Sequence, residues 1–451
     1  MGSLFHSRLI LIHAPVLHIV HCIDTEGPLQ EPLGATFERL KSIFGLDLEP
    51  SAQNLTRLQR QEIDLQGLEA EVAQVVRPEL LNYNGDWDAI SRMLAEAMGA
   101  SFRREMTDDF GGGWVYSWHV LDHVGYASNP RRKALGYGEV FRFYDDAVTR
   151  MGQGVDEINW HFHPLFPDGD PLKAATSYTN SYPQLNQILA RRLVDHGWFP
   201  VANRPGFHSE RPDSNAFLEQ WIPYDYANQA YEEESGQKDL RGGRFGDWRR
   251  APREWTGYQP SHRDYQRPGD MNRRIFRCLN VGTRFRELGA HHVEQAMQEA
   301  SSSGSAILAF ADHDYRDIRP DVRRVREMLG QARARHPDVR VRFGGAVASA
   351  RAHLSAIGQL DDSTPLALSS SIQDCTLSVR CTSGRCFGPQ PFLAYKSRDG
   401  RYIHDNFDVQ EPERHWTYTF DAQTLPLDQI ECIALGSAGA DGSLAVVRQQ
   451  P

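Results

Sequence analysis

Four clusters of chemically capable residues stand out, each at the end of an apolar run. The first is Asp24-Thr25-Glu26-Gly27 and the second is His161-Phe162-His163-Pro164. The third is Arg204-Pro205-Gly206 and the fourth is Asp312-His313-Asp314. Two imidazoles and two carboxylates are the donors of a hydrolytic metal centre. On extended backbone alternate side chains share a face, so His161 and His163 point the same way, roughly 6.6–7 Å apart along the strand. Both can then reach one ion. Neutral imidazole and carboxylate suit zinc and other first-row divalent cations, and one zinc ion is the expected cofactor. Of two carboxylates on one turn, one can bind metal while the other takes a proton from attacking water. His313 could protonate a leaving group, and Arg204 could orient a carboxylate or neutralise developing charge. Together these groups describe metal-assisted hydrolysis of an amide or ester.

Each cluster also has a plain reading. Asp24–Gly27 could be a polar turn, Arg204 a loop arginine, and Asp312–Asp314 the capped start of a helix. Their common placement at strand ends argues for the joint reading. The apolar run at 17–24 reads as a first strand, 114–121 as a second and 155–163 as a third. Short strands follow at 198–202, 274–281, 305–311 and 339–343. Helical periodicity fills 36–77, 137–151, 182–196 (closed by Gly197), 214–221, 290–301 and 319–335, and Asp86 caps a helix over WDAISRMLAEAM. Alternating strands and helices imply parallel βα units, as a barrel or a doubly wound sheet, with functional groups at the C-terminal strand ends.

With 451 residues the chain is too long for one small core. We expect residues 1–360 to form an α/β domain carrying a helical insertion at about 30–110. Residues 361–451, with short alternating segments broken by Gly, Pro and Asp, should form a β-sandwich-like module. The net charge of −10, from 49 Lys+Arg against 59 Asp+Glu, argues against a nucleic-acid partner. Six cysteines are too few for a disulfide scaffold, and Cys22 reads as a buried free thiol; a zinc knot around Cys381 and Cys386 lacks paired spacing. The run Leu9–Ile12 is too short to span a membrane and lacks the features of a secretory signal, so a cytoplasmic, soluble protein is expected. A homo-oligomer is compatible with the sequence.

The four clusters, in this order and at these separations, resemble the motifs of the metal-dependent polysaccharide deacetylases, the NodB-homology class of carbohydrate esterases, across residues 17–350. The variant looks closest to the branch found among surface-polysaccharide and O-antigen biosynthesis proteins. The resemblance implies a distorted (β/α) barrel that removes an N- or O-acetyl group from a sugar. It implies Asp24 as general base, Glu26 as metal carboxylate, His161 and His163 as ligands, Arg204 as the residue orienting the base, and His313 as general acid. The chain departs from the pattern in its two-residue His spacing, where the family uses four. Its acidic pair ends in Glu, so the base and ligand roles of Asp24 and Glu26 could be exchanged, and Asp24 stays a candidate ligand.

Further candidate residues line the cleft expected at that end of the strands. His119, Asp122 and His123 follow the second strand, with His119 and His123 on a common face. The irregular segment 232–272 mixes guanidinium and indole in Arg241, Arg244, Asp247, Trp248, Arg249, Arg250, Arg253 and Trp255. Indoles stack on sugars and arginines bind anions, which would suit an N-acetylated sugar that is free, nucleotide-linked or lipid-linked. Two other readings compete. His-x-His also marks amidohydrolase-type barrels, although there it normally follows the first strand. A non-catalytic carbohydrate-binding or assembly protein with a degenerate deacetylase domain is the alternative without chemistry.

Overall fold

The structure, a computed structural model, describes residues 14–123, 135–168, 177–232, 246–360 and 364–451. Its first strand, β1 (Val16–Thr25), is buried along almost its whole length. This is the apolar run read from sequence, and continuous burial is what a parallel barrel strand requires. Six helices then interrupt the barrel: α1 (Leu33–Phe44), α2 (Ala52–Gln59), α3 (Glu69–Val75), α4 (Pro78–Leu81), α5 (Trp87–Ala97) and α6 (Ala100–Arg103). The first three share a small core of Phe37, Leu40, Leu58, Val72 and Val75. Helix α5 starts where expected, with the Asp86 carboxylate accepting the Ala89 N–H at 2.7 Å.

The chain then alternates. Strand β2 (Tyr116–Asp122) leads to α7 (Tyr137–Met151), β3 (Glu157–Phe162) to α8 (Tyr182–His196), and β4 (Ala202–Asn203) to α9 (Pro212–Trp221). Strand β5 (Tyr224–Asn228) precedes a short hairpin, β6 (Pro260–Ser261) with β7 (Asp264–Pro268). Then come β8 (Arg274–Asn280), α10 (Ala290–Ser303), β9 (Ser305–His313), α11 (Arg319–Arg335), β10 (Arg340–Phe343) and α12 (Ala346–Ala356). Gly197 closes α8 in the left-handed region at φ 63°. The segment 224–226, left unassigned by sequence, is the barrel strand β5.

Strands β1, β2, β3, β4, β5, β8 and β9 pair in that order, all parallel, and β1 pairs with β9 to close a seven-stranded barrel. Strand β10 adds to the first half of β1, on the edge that β2 takes over further along. The pleat sends Val20, Cys22, Ala309, Ala311, Phe276 and Cys278 inward as one interior cluster. Ile19, Ile23, Leu308 and Phe310 face outward onto the helices. At the N-terminal end of the barrel, the Glu157 carboxylate accepts the Val347 and Ala348 N–H groups that open α12.

After residue 363 the chain is β-rich. It forms β11 (Ala367–Gln373), β12 (Thr376–Ser383), β13 (Phe392–Ser397), β14 (Tyr402–Asp405), β15 (Asp408–Glu411), β16 (His415–Thr419), β17 (Ile430–Ala438) and β18 (Leu444–Gln449). These make two four-stranded antiparallel sheets, β11-β12-β16-β15 and β14-β13-β17-β18. Phe392, Ala394 and Ala434 of the second sheet pack with Leu189, Leu193 and Phe199 of the α8 region, so the module docks on the barrel's flank. All six cysteines are free. No helix among the described residues is long and apolar enough to cross a membrane.

Candidate metal centre

Register brings the clusters together. Asp24 pairs with His119 on β2 and with His313 on β9, so three chemically capable side chains lie side by side across three neighbouring strands. His161 stands on β3 two residues beyond Asn159, which is the partner of His119. Arg204 follows β4, its N–H donating to the Trp160 carbonyl at 2.9 Å. The four sequence clusters therefore converge on one end of the barrel, the C-terminal end of its strands.

Within that end, Glu26, His161 and His163 form a group whose donor atoms all lie within 4.8 Å of one another. His161 Nε2 and His163 Nε2 are 2.9 Å apart, and Glu26 Oε1 is 3.7 Å from His163 Nε2. The Arg204 carbonyl, which can only accept, lies 2.6 Å from His161 Nδ1, so Nδ1 carries a proton and Nε2 is the nitrogen open to an ion in the neutral ring. That carbonyl–imidazole arrangement is the usual support of a metal-binding histidine. With metal–nitrogen bonds of about 2.0–2.1 Å, two nitrogens at this separation fit one coordination sphere. The donor set therefore fits a divalent ion.

Asp24 stands apart from this group. Its Oδ2 accepts from Arg204 Nη1 in a buried ion pair, while Oδ1 lies 3.5 Å from His161 Nδ1. Asp24 Oδ1 is enclosed and accepts no hydrogen bond among the described residues. Burial raises the pKa of Asp24, against the opposing pull of Arg204 and His161. Arg204 is itself held by Asn280 Oδ1 at 3.4 Å, and Asn280 is braced by Gln229. His313 Nε2 is 3.7 Å from Asp24 Oδ2, and burial together with Arg316 holds the imidazole pKa well below its usual value.

Two supports could not be read as such from sequence. The Asp314 carboxylate accepts the Glu26 N–H at 2.8 Å and the Gly27 N–H at 2.7 Å, and Tyr144 donates to it at 2.8 Å. Asp314 thus fixes the acidic turn and is not a cap for α11, which starts only at Arg319. Gly206 is the second support: a Cβ there would meet the His163 ring at 2.5 Å. The glycine of Arg-Pro-Gly is needed because the imidazole lies against it.

The cleft residues divide. His119 is fully buried within the barrel, beside Asp24 in register, with Nδ1 3.3 Å from the Trp160 carbonyl. His123 lies beside His163, with ring centroids 5.8 Å apart and the planes tilted by 32°. Asp122 is corrected: it points away from the interior, where Trp160 Nε1 donates to it at 2.8 Å and Arg192 pairs with it, tying α8 to the sheet. Trp255 is corrected likewise. It is buried in the outer core under Arg277, whose guanidinium lies 4.5 Å from the ring centroid. Trp248 is buried and donates through Nε1 to the His208 carbonyl at 3.0 Å, which makes it a brace and not an open sugar platform. Arg249 pairs with Asp247 and Arg250 with Asp264 on the surface. Arg241 and Arg244 lie outside the described residues.

His208 is a residue that sequence reading missed. Arg204, Arg286, His313 and His161 all lie near enough to it to disfavour its protonation, after the larger effect of burial. Its only sequence signal was its place four residues after Arg204.

A second grouping of possible ligands, Glu232, His291 and His292, behaves differently. The Gly289 N–H donates to His292 Nδ1 at 2.9 Å, so the proton sits on Nε2, which donates to Glu232 at 3.0 Å. That imidazole has no lone pair left for an ion. Neither grouping includes a cysteine.

No protein-family model matches the chain, and no curated protein matches it.

Proposed function

We propose that the protein is a divalent-metal-dependent hydrolase that removes an acetyl group from an N-acetylated sugar or a precursor of a surface polysaccharide. The observation that carries this reading is the division of labour between two neighbouring sets. Glu26, His161 and His163 converge as ligands, while Asp24 lies beside them in the grip of Arg204. A divalent ion held by Glu26, His161 and His163 would polarise the acyl oxygen and lower the pKa of water at the site.

The remaining steps belong to side chains. Asp24 keeps Oδ2 on Arg204 and has Oδ1 unbonded, so Oδ1 is the oxygen that takes a proton from water as that water adds to the acyl carbon. Arg204 fixes the direction of the carboxylate and keeps its negative charge available. The proton taken by Asp24 is returned to the departing nitrogen through His313, whose Nε2 is 3.7 Å from Asp24 Oδ2, as the carbon–nitrogen bond breaks, so the step needs no proton stored on His313 beforehand. The products are acetate and the free amino sugar. The two-residue His spacing supports this reading, because it turns two Nε2 atoms toward each other at 2.9 Å.

The test is acetate release from N-acetylglucosamine oligomers and from nucleotide-linked N-acetylglucosamine by the zinc-loaded protein. Release should disappear in Asp24→Asn and in His313→Ala. Full turnover in both variants, or none in the zinc-loaded wild type on any acetylated sugar, contradicts the assignment.

A further inference from the structure

The backbone at the mouth of the barrel is left-handed at two consecutive non-glycine residues, Phe207 (φ 55°) and His208 (φ 51°). Side chains rarely adopt this conformation, and it persists only where the surroundings enforce it. Here three contacts enforce it. Trp248 Nε1 donates to the His208 carbonyl at 3.0 Å. The Gly246 N–H donates to the Phe207 carbonyl at 3.0 Å, and Gly246 lies so close to the His208 carbonyl that no Cβ could be added. Phe207 packs edge-on against His163, with centroids 4.9 Å apart.

This enforced turn follows directly on Arg204-Pro205-Gly206 and lies against His163, and the His208 Nδ1 is enclosed with no hydrogen-bond partner among the described residues. Enclosed polar atoms are normally satisfied, so an orphan at a functional site calls for a partner that arrives later. Arg204, Arg286, His313 and His161 all act electrostatically on the ring, which keeps it within reach of the site. A neutral ring offers one donor and one acceptor without bringing charge. Among the described residues, the hydrogen bonds that join His161 to the Arg204 carbonyl, His161 to His163 and Arg204 to Asp24 do not involve this side chain.

We propose that His208 is a substrate-contacting residue: its imidazole, aimed by the left-handed turn and braced by Trp248, hydrogen-bonds through Nδ1 to the acetyl-bearing end of the substrate. This rests on the acetyl-hydrolase reading, and the contact is one of binding, with no bond made or broken on His208.

The experiment titrates acetate, the product common to every acetylated substrate, into the zinc-loaded protein by calorimetry. It compares wild type, His208→Ala and His208→Asn, with zinc affinity measured on each. Asparagine places an amide atom near the position of Nδ1. Zinc affinity should be unchanged in all three. Acetate should bind about tenfold more weakly to His208→Ala, as for one lost hydrogen bond, with His208→Asn recovering most of the loss. On acetylated sugar the loss should appear in KM while kcat holds. Wild-type acetate binding by His208→Ala overturns the proposal, as does an equal loss of zinc affinity in both variants, which marks a structural role. If wild type binds acetate through His208 yet releases none from acetylated sugars, the contact stands and the deacetylase reading falls.

Discussion

The Asp314 carboxylate and the Glu26 backbone are joined by a 2.8 Å hydrogen bond between residues 288 positions apart in sequence. With the parallel bond to Gly27, it fixes how the acidic turn leaves β1, and so where the Glu26 carboxylate stands relative to His161 and His163. Replacing Asp314 by Asn removes the charge that two N–H groups and the Tyr144 hydroxyl share. Supports of this kind typically change metal affinity by about 10–100-fold. We expect Asp314→Asn to weaken zinc binding by that order in calorimetry while its circular dichroism stays that of the wild type. Unchanged affinity would show that the turn is held by other means.

Gly206→Ala tests the packing of His163. The added methyl would occupy space the imidazole ring now fills. The ring must move, and a ligand displaced by a fraction of an ångström loses its place in the sphere. We expect metal affinity to fall by at least about tenfold, with a stability loss within the 1–3 kcal/mol usual for overpacking. Chelator competition reads the first and urea denaturation the second.

The Asp24–Arg204 pair is buried on both sides. Removing one partner of such a pair leaves an uncompensated charge and costs about 3–5 kcal/mol, whereas removing both can be near neutral. Arg204→Met should therefore be strongly destabilised in denaturant titrations. The double variant Arg204→Met with Asp24→Asn should recover most of that loss. Additive losses in the double variant would mean that the pair is not coupled as its geometry indicates.

A third carboxylate gives a pH signature. Glu210 is buried beside Asp225 and shares Arg273 with it. Burial, aided by Asp225, pushes Glu210 up to about 8 from an ordinary 4.5, against the pull of Arg273. A folded-state pKa raised above the unfolded one stabilises most below the unfolded value, and that contribution is lost as pH rises through about 8. Stability should then fall between pH 5 and 8 with a slope approaching about 1.4 kcal/mol per unit from this group. Glu210→Gln keeps the acceptor for Arg273 and should flatten that part of the profile. An identical slope in the variant would assign the titration elsewhere.

How much could be read beforehand depended on whether a residue's role is local. Strand β1, the Asp86 cap and the Gly197 stop are local patterns, and each appears where the sequence placed it. The common face of His161 and His163 follows from the two-residue period of a strand. The same period could have warned that Asp122, an odd number of residues from His119, points to the opposite face, where Arg192 meets it. Trp248 and Trp255 lie in a segment with no period, so nothing local told a buried brace from an exposed platform. His208 depends on backbone dihedrals set by Trp248 and Gly246, forty residues away, and no residue type near position 208 signals them. Strand β5 is short and follows a helix directly, so its two tyrosines give too brief a pattern to mark a strand.

The central claim is that Glu26, and not Asp24, completes a metal triad with His161 and His163. Elemental analysis of zinc-loaded, extensively dialysed protein tests it most directly, with folding checked by circular dichroism. We predict one zinc per chain in the wild type and in Asp24→Asn, and loss of that zinc in Glu26→Gln, His161→Ala and His163→Ala. Zinc retained in Glu26→Gln but lost in Asp24→Asn would exchange the two roles. No stoichiometric zinc in the wild type would contradict the metal centre itself.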